Sequence, residues 1–140
     1  MKEDYSELSW CPAISSLQEV IGGKWKIEIL FYIAFENATR FGQIRRCLGS
    51  ISDSTLSKQL RELVEDGFLE RVDYGEMPPR VEYHLTRRGH NFTPILQLMW
   101  DWAEREFDFS EAERQKMARY REGLNCSGPV GNGTESEAGA

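Results

Sequence analysis

The segment from Ser52 to Gly67, reading SDSTLSKQLRELVEDG, carries a helix start, a helix stop and a single apolar stripe between them. Ser52 suits an N-cap, because its hydroxyl can accept from the free N–H groups of a first turn, and Gly67 after Asp66 supplies the residue type with which many helices end. Leu56, Leu60, Leu63 and Val64 recur at spacings of three and four, so they share one face. A helix of this kind must lean on a core along that stripe. The opposite face, with Ser54, Thr55, Ser57, Lys58 and Arg61, is then left outward.

The rest of the chain supplies a core for it to lean on. After Pro12, which suits a first helical turn, Ile14, Leu17 and Ile21 recur at helical spacing. Gly22-Gly23 breaks that pattern, and Trp25, Ile29, Leu30 and Ile33 form a second helical stripe, expected to be core. A short third helix is predicted from Arg40 to Leu48, with Phe41, Ile44 and Leu48 on one side and Arg45 and Arg46 on the other. Beyond Gly67 the period changes. Leu69 to Tyr74 and Val81 to Leu85 alternate as strands do, and Gly75-Glu76-Met77-Pro78-Pro79 between them is turn material, so a β-hairpin is expected. Thr86 then caps a long helix whose apolar stripe is Phe92, Ile95, Leu96, Met99, Trp102 and Ala103, with Pro94 expected to kink it. Ser110 with Glu113 forms a capping-box pattern that predicts a further short helix to about Arg121.

The fold class implied is mainly α with one small β-hairpin, in the order of a winged helix-turn-helix with N- and C-terminal helices free to dimerise. With 140 residues the chain has room for one core. The expected layout is an N-terminal extension at 1–10, a winged helix-turn-helix domain at 11–106, an extra helix at 107–122 and a flexible Gly- and Ser-rich tail at 123–140. The longest apolar run, Ile27 to Phe35, is interrupted by Glu28 and is far shorter than the roughly 20 residues that cross a bilayer. The acidic opening MKEDYSELSW lacks the pattern of a secretory signal, so a cytoplasmic location is expected. Cys11, Cys47 and Cys126 are odd in number and widely spaced, which speaks against a disulfide framework. Neither they nor His84 and His90 fall at zinc-ligand spacing, and no cofactor is expected.

Charge distribution narrows the function. The net charge is −6, which opposes a nucleic-acid partner on its face. Yet from Arg40 to Arg61 the cations Arg40, Arg45, Arg46, Lys58 and Arg61 meet Asp53 alone, while the acids crowd the N-terminus and the stretches 62–82 and 101–113. A helix locked down by leucines, with small hydroxyls and cations outward, is what a DNA major groove admits. A polar face is more often merely solvated. Here, however, it coincides with the one strongly cationic window of an acidic chain, and Arg80 stands beside the hairpin turn. Double-stranded DNA is therefore the expected partner, with no membrane contact.

The chain also resembles the HxlR family of winged helix-turn-helix regulators. The resemblance rests on Cys11-Pro12, Ile21-Gly22-Gly23-Lys24-Trp25, Arg40-Phe41-Gly42 with Ile44-Arg45-Arg46, LSKQLRELVEDG from Leu56 to Gly67, and Pro78-Pro79-Arg80-Val81-Glu82-Tyr83 followed by Leu85-Thr86. These pieces span about Cys11 to Trp102 in consistent order. The resemblance implies a homodimer that binds an operator and regulates transcription, as a repressor in the favoured reading, with the helix from about Ser52 to Asp66 reading the DNA and the hairpin as wing. By position, Arg40, Arg45, Arg46, Ser54, Thr55, Ser57, Lys58, Arg61 and Arg80 are the implied DNA residues. Trp10, Leu17, Phe92, Ile95, Leu96, Met99, Trp100 and Trp102 are the expected dimer interface, since they amount to more aromatic and apolar surface than a small domain covers alone; packing on the chain's own first helix is the competing explanation. A symmetric dimer would set two recognition helices about one DNA turn apart, ~34 Å.

Cys11 carries two readings. Members of this family can sense oxidants or electrophiles through a cysteine at this place. A helix N-terminus favours a thiolate, while nearby Asp4 and Glu7 oppose it. The other reading is a packing cysteine at the dimer interface. Cys47 is expected to pack. Catalysis is not expected: no nucleophile and base stand at a recognised spacing, and Gly22-Gly23-Lys24 lacks the rest of a phosphate loop. The alternative that survives is a winged helix serving protein contacts without specific DNA binding.

Overall fold

A computed structural model of the chain describes residues 11–127, with side chains described to residue 120. Six helices and one hairpin follow in the order α1 (Pro12–Ile21), α2 (Lys26–Glu36), α3 (Phe41–Leu48), α4 (Asp53–Glu65), β1 (Leu69–Asp73), β2 (Val81–Leu85), α5 (Arg87–Glu106) and α6 (Glu111–Ser127). The strands pair antiparallel, with Leu69 opposite Leu85 and Asp73 opposite Val81. Trp10 lies outside the described residues.

The core is assembled around α2. Ile29, Leu30, Ile33, Ala34 and Phe35 from that helix are buried with Ile44 of α3 and with Leu56, Leu60 and Leu63 of α4. Phe68 and Leu69 close the core from the hairpin side, and Phe92 and Leu96 from α5. The expected dimer residues Phe92 and Leu96 thus belong to the interior of one subunit. Phe92 meets Phe68 edge to face at 5.8 Å. Trp100 also turns inward, its ring parallel to that of Phe31 with centroids 5.6 Å apart.

Local chemistry explains the boundaries. The C-terminus of α4 is closed by a pair of bonds characteristic of a glycine stop: the N–H of Gly67 donates to the carbonyl of Val64, and that of Phe68 to Leu63. Gly67 has φ +85°, a left-handed conformation that a side chain resists. The start of α5 docks on this same turn. Thr86 Oγ1 donates to the carbonyl of Gly67 and accepts from the N–H of Gly89. Gly89 itself is packed so closely that a Cβ there would sit 2.4 Å from the carbonyl oxygen of Phe68.

Pro94 lies inside α5, which runs unbroken from Arg87 to Glu106. Proline has no N–H to offer the carbonyl four residues earlier, that of His90, and the hydroxyl of Thr93 donates to that oxygen instead. The capping box at Ser110 forms as expected, with Glu113 accepting from the Ser110 N–H and Ser110 Oγ from that of Glu113. Helix α6 continues to Ser127, past the predicted end near Arg121 and into the stretch read as tail.

Candidate nucleic-acid interface

Three side-chain networks hold α4 in place and leave its outer face open. At its N-terminus Ser52 accepts from the N–H of Thr55 and donates to the Thr55 hydroxyl. Thr55 is accordingly half-buried and committed to the cap, whereas Ser54 and Ser57 are exposed. In its last turn, Glu62 bonds Lys26 of α2 at 2.7 Å, a lysine almost wholly buried in the core. The hydrogen bond from Lys26 holds the Glu62 carboxyl below the usual carboxylate range. Beneath, the leucine stripe fixes the helix by burial.

The expected cations fall into two groups. Arg40, Arg46, Lys58 and Arg61 are exposed, and none of them enters an ion pair among the described residues. Lys58 and Arg61 stand one turn apart on the open face of α4. Arg45 instead pairs with Asp53 at 2.5 Å, tying the end of α3 to the first turn of α4. That link orients the two helices relative to each other and leaves the rest of the Arg45 guanidinium at the surface. Gln43 accepts from the backbone N–H groups of Thr39 and Arg40, fixing the entry to α3.

Arg80 is the most constrained of the nine expected DNA residues. Its guanidinium stacks on Tyr74 at 3.8 Å and lies 3.6 Å from Glu76 and 3.9 Å from Glu82. Glu82 also bonds His84 at 2.8 Å and accepts from the Tyr74 hydroxyl, and the His84 contact is the main reason its carboxyl sits below the usual range. The wing is therefore a knitted unit in which Arg80 braces the strands. Its tip is Met77, almost fully exposed. The N–H of Tyr83 in β2 donates to the carbonyl of Thr39, which anchors the wing to the loop before α3.

Apolar side chains of α1 and α5 stay open to solvent. Leu17, Ile95, Met99 and Trp102 of the expected interface are all exposed there. Ile14, Leu98 and Phe107, which were not among the expected interface residues, are exposed as well. The signal for Leu98 was available, since it lies three residues after Ile95 and four before Trp102. Cys11 is the N-cap residue of α1, its thiol free and exposed. Cys47 is half-buried against the core, and burial pushes its thiol up from the usual value.

Three helices, the last presenting an open polar ridge, followed by a two-stranded wing and a long flanking helix, define a winged helix-turn-helix. Comparison with known proteins agrees. The HxlR-like helix-turn-helix model matches residues 20–111, and the chain belongs to that family. The HTH-type transcriptional regulator YybR of Bacillus subtilis (strain 168) is 42% identical over 113 residues, covering 81% of this chain and 89% of YybR. Among solved structures, the redox regulator HypR in its oxidized form is 40% identical with a TM-score of 0.62, covering 71% of this chain and all of that one. The reduced form of the transcriptional regulator YodB from B. subtilis is 28% identical with a TM-score of 0.60, covering 71% of this chain and 96% of YodB. The chain is thus a winged-helix regulator of transcription.

Proposed function

We propose that this regulator binds a specific operator as a homodimer and represses transcription, with α4 entering the major groove. The observation that carries this reading is the outward ridge of Ser54, Ser57, Lys58 and Arg61, whose two cations enter no ion pair among the described residues, on a helix held from beneath by fully buried leucines. Small hydroxyls let the helix backbone approach base edges, and the two cations reach bases or phosphates. Arg40 and Arg46 flank the ridge as phosphate contacts. Arg45 and Arg80 act mainly by positioning, the first through Asp53 and the second by bracing the wing against the sugar-phosphate backbone. The open apolar face along α1 and α5 supports pairing with a second copy, as the residues of an unsatisfied interface would.

A thiol response through Cys11 completes the reading. It is supported by the free, exposed sulfur at the start of α1, the helix that carries the exposed Ile14 and Leu17. The related protein HypR is described as a redox regulator, with both oxidized and reduced forms. An oxidant or small electrophile acting on Cys11 would change the geometry of that interface and hence the spacing of the two recognition helices.

Recovery of genomic fragments with the protein, followed by mobility shift over a salt series, tests the DNA reading. Binding should weaken steeply as salt rises, because phosphate contacts release counterions. Salt-insensitive capture of a protein and no enrichment of DNA would favour a protein-interaction module instead. For Cys11, diamide should alter the shift of wild type but not of Cys11→Ser; an equal response in both removes the sensor.

A further inference from the structure

Helices α2, α5 and α6 enclose a pocket of about 450 Å³ that plays no part in holding α4 or the wing. That volume falls in the range of small-molecule sites. Its walls are mostly apolar, with Phe31, Tyr32, Trp100, Phe109 and Tyr120 supplying aromatic rings. Phe31 and Trp100 lie in parallel, and Tyr120 stands at 88° to each of them, with centroids 6.0 and 6.2 Å away. The charged lining residues are Glu28, Glu113 and Lys116, so carboxylates outnumber the ammonium. The α6 wall, including Lys116 and Tyr120, lies beyond residue 111, where the family match ends.

We propose that this pocket binds a small, flat aromatic cation. Ring faces attract a cation placed over them, and a flat ligand can lie against such a cluster of rings. The acidic excess at the rim adds to that preference and works against an anion of the same shape. Glu28 stands on α2, one turn from Phe31 and Tyr32, so its carboxylate is the group best placed to select charge. Ligand in this space would bear on Met99, which both lines the pocket and belongs to the exposed α5 face. As an effector site it rests on the regulator reading. The binding site itself does not.

Isothermal titration with three probes of one shape decides it: N-methylquinolinium, naphthalene and 1-naphthoate, each against the full-length protein. The cation should bind more tightly than the anion by roughly ten-fold, with naphthalene between them. Glu28→Gln, at an exposed position, should narrow the cation-to-anion ratio about three-fold and leave naphthalene unchanged. A helical circular dichroism spectrum equal to wild type shows that the variant is folded. The proposal is overturned if none of the three binds, as when a second copy or the chain's own N-terminal residues fill the space, or if 1-naphthoate binds best. No DNA enters the titration, so a negative result leaves operator binding standing, and a failed mobility shift leaves the pocket standing.

Discussion

Replacing Trp102 by Asp should turn a dimer into a monomer without unfolding it. Trp102 is 52% exposed in the single chain and contacts Phe107 edge to face, centroids 5.3 Å apart, at the rim of the open face. On an aromatic side chain of about 150–250 Å², half exposure leaves roughly 80–130 Å² in water. Covering that area contributes about 2–3 kcal/mol at ~25 cal/mol per Å². A two-fold interface uses the residue twice, so the loss per dimer is about 4–6 kcal/mol, or roughly three to four decades in the dissociation constant. Burial of a new carboxylate adds to this. Sedimentation equilibrium over a wide concentration range measures the constant directly. Wild type should be dimeric at low micromolar protein, and the variant monomeric at a hundredfold more. The variant should stay folded, with a helical circular dichroism spectrum equal to wild type, because the side chain removed is not part of the core, and its melting temperature should no longer rise with protein concentration. A variant that stays dimeric at submicromolar protein would refute the assignment of this face.

Other perturbations test other parts of the argument. Arg61→Ala and Lys58→Ala should each weaken operator binding and flatten the salt dependence by about one phosphate contact per subunit, with melting unchanged within ~0.5 kcal/mol; unfolding of Arg61→Ala would show that α4 faces the other way. Gly89→Ala forces a Cβ against the Phe68 carbonyl, and overpacking of this kind costs about 1–3 kcal/mol, read as a lower denaturant midpoint in equilibrium unfolding. Glu62 has a carboxyl held low in the folded chain by its hydrogen bond from Lys26, so its contribution is present at neutral pH and fades as pH falls from the ordinary carboxylate range through the depressed value. Stability measured between pH 7 and pH 3 should therefore drop less in Glu62→Gln than in wild type. Tyr32 works in the opposite sense: burial raises its phenol above the usual value, so its stabilising share is present below pH ~10 and lost above it, and Tyr32→Phe should soften alkaline unfolding.

The order of elements was legible because each one carried its own punctuation. Ser52 and Gly67 bracket α4, Thr86 opens α5, and Ser110 with Glu113 opens α6, all through local hydrogen bonds that short-range sequence can announce. The ridge on α4 was legible for the same reason, since leucine spacing alone decides which face turns inward. What periodicity could not say is which of two cores a stripe serves. The α5 stripe divides: Phe92 and Leu96 enter the subunit's own interior, while Ile95, Leu98, Met99 and Trp102 stay outside. Both sets have helical spacing, and only the three-dimensional position of Phe68 and α2 separates them. Ion pairs between elements were hidden likewise. Nothing local to Arg45 indicates that Asp53 will neutralise part of it, nor does Lys26 announce Glu62 across the helix pair. Gly89, which sequence patterning did not single out, is a close approach between α5 and the α4–β1 turn.

Those hidden pairs also explain how a chain of net charge −6 can present a cationic surface. Arg80 is matched by Glu76 and Glu82, and Arg45 by Asp53, so these cations are largely spent within the fold. Arg40, Arg46, Lys58 and Arg61 enter no ion pair among the described residues, and they stand on the α3–α4 head rather than among the acids of 62–82 and 101–113. Field at the scale of a groove is set by charges within a Debye length of about 8–10 Å, so distant carboxylates weaken the ridge far less than their number suggests. If these four cations in each subunit are the ones that reach phosphate, a dimer makes about eight such contacts, hence a salt slope near about −7. A steeper slope would require cations beyond these four: Arg71, exposed on β1, or Arg45 and Arg80, which would have to leave their carboxylates and so make the wing and the α3–α4 link moving parts rather than fixed supports.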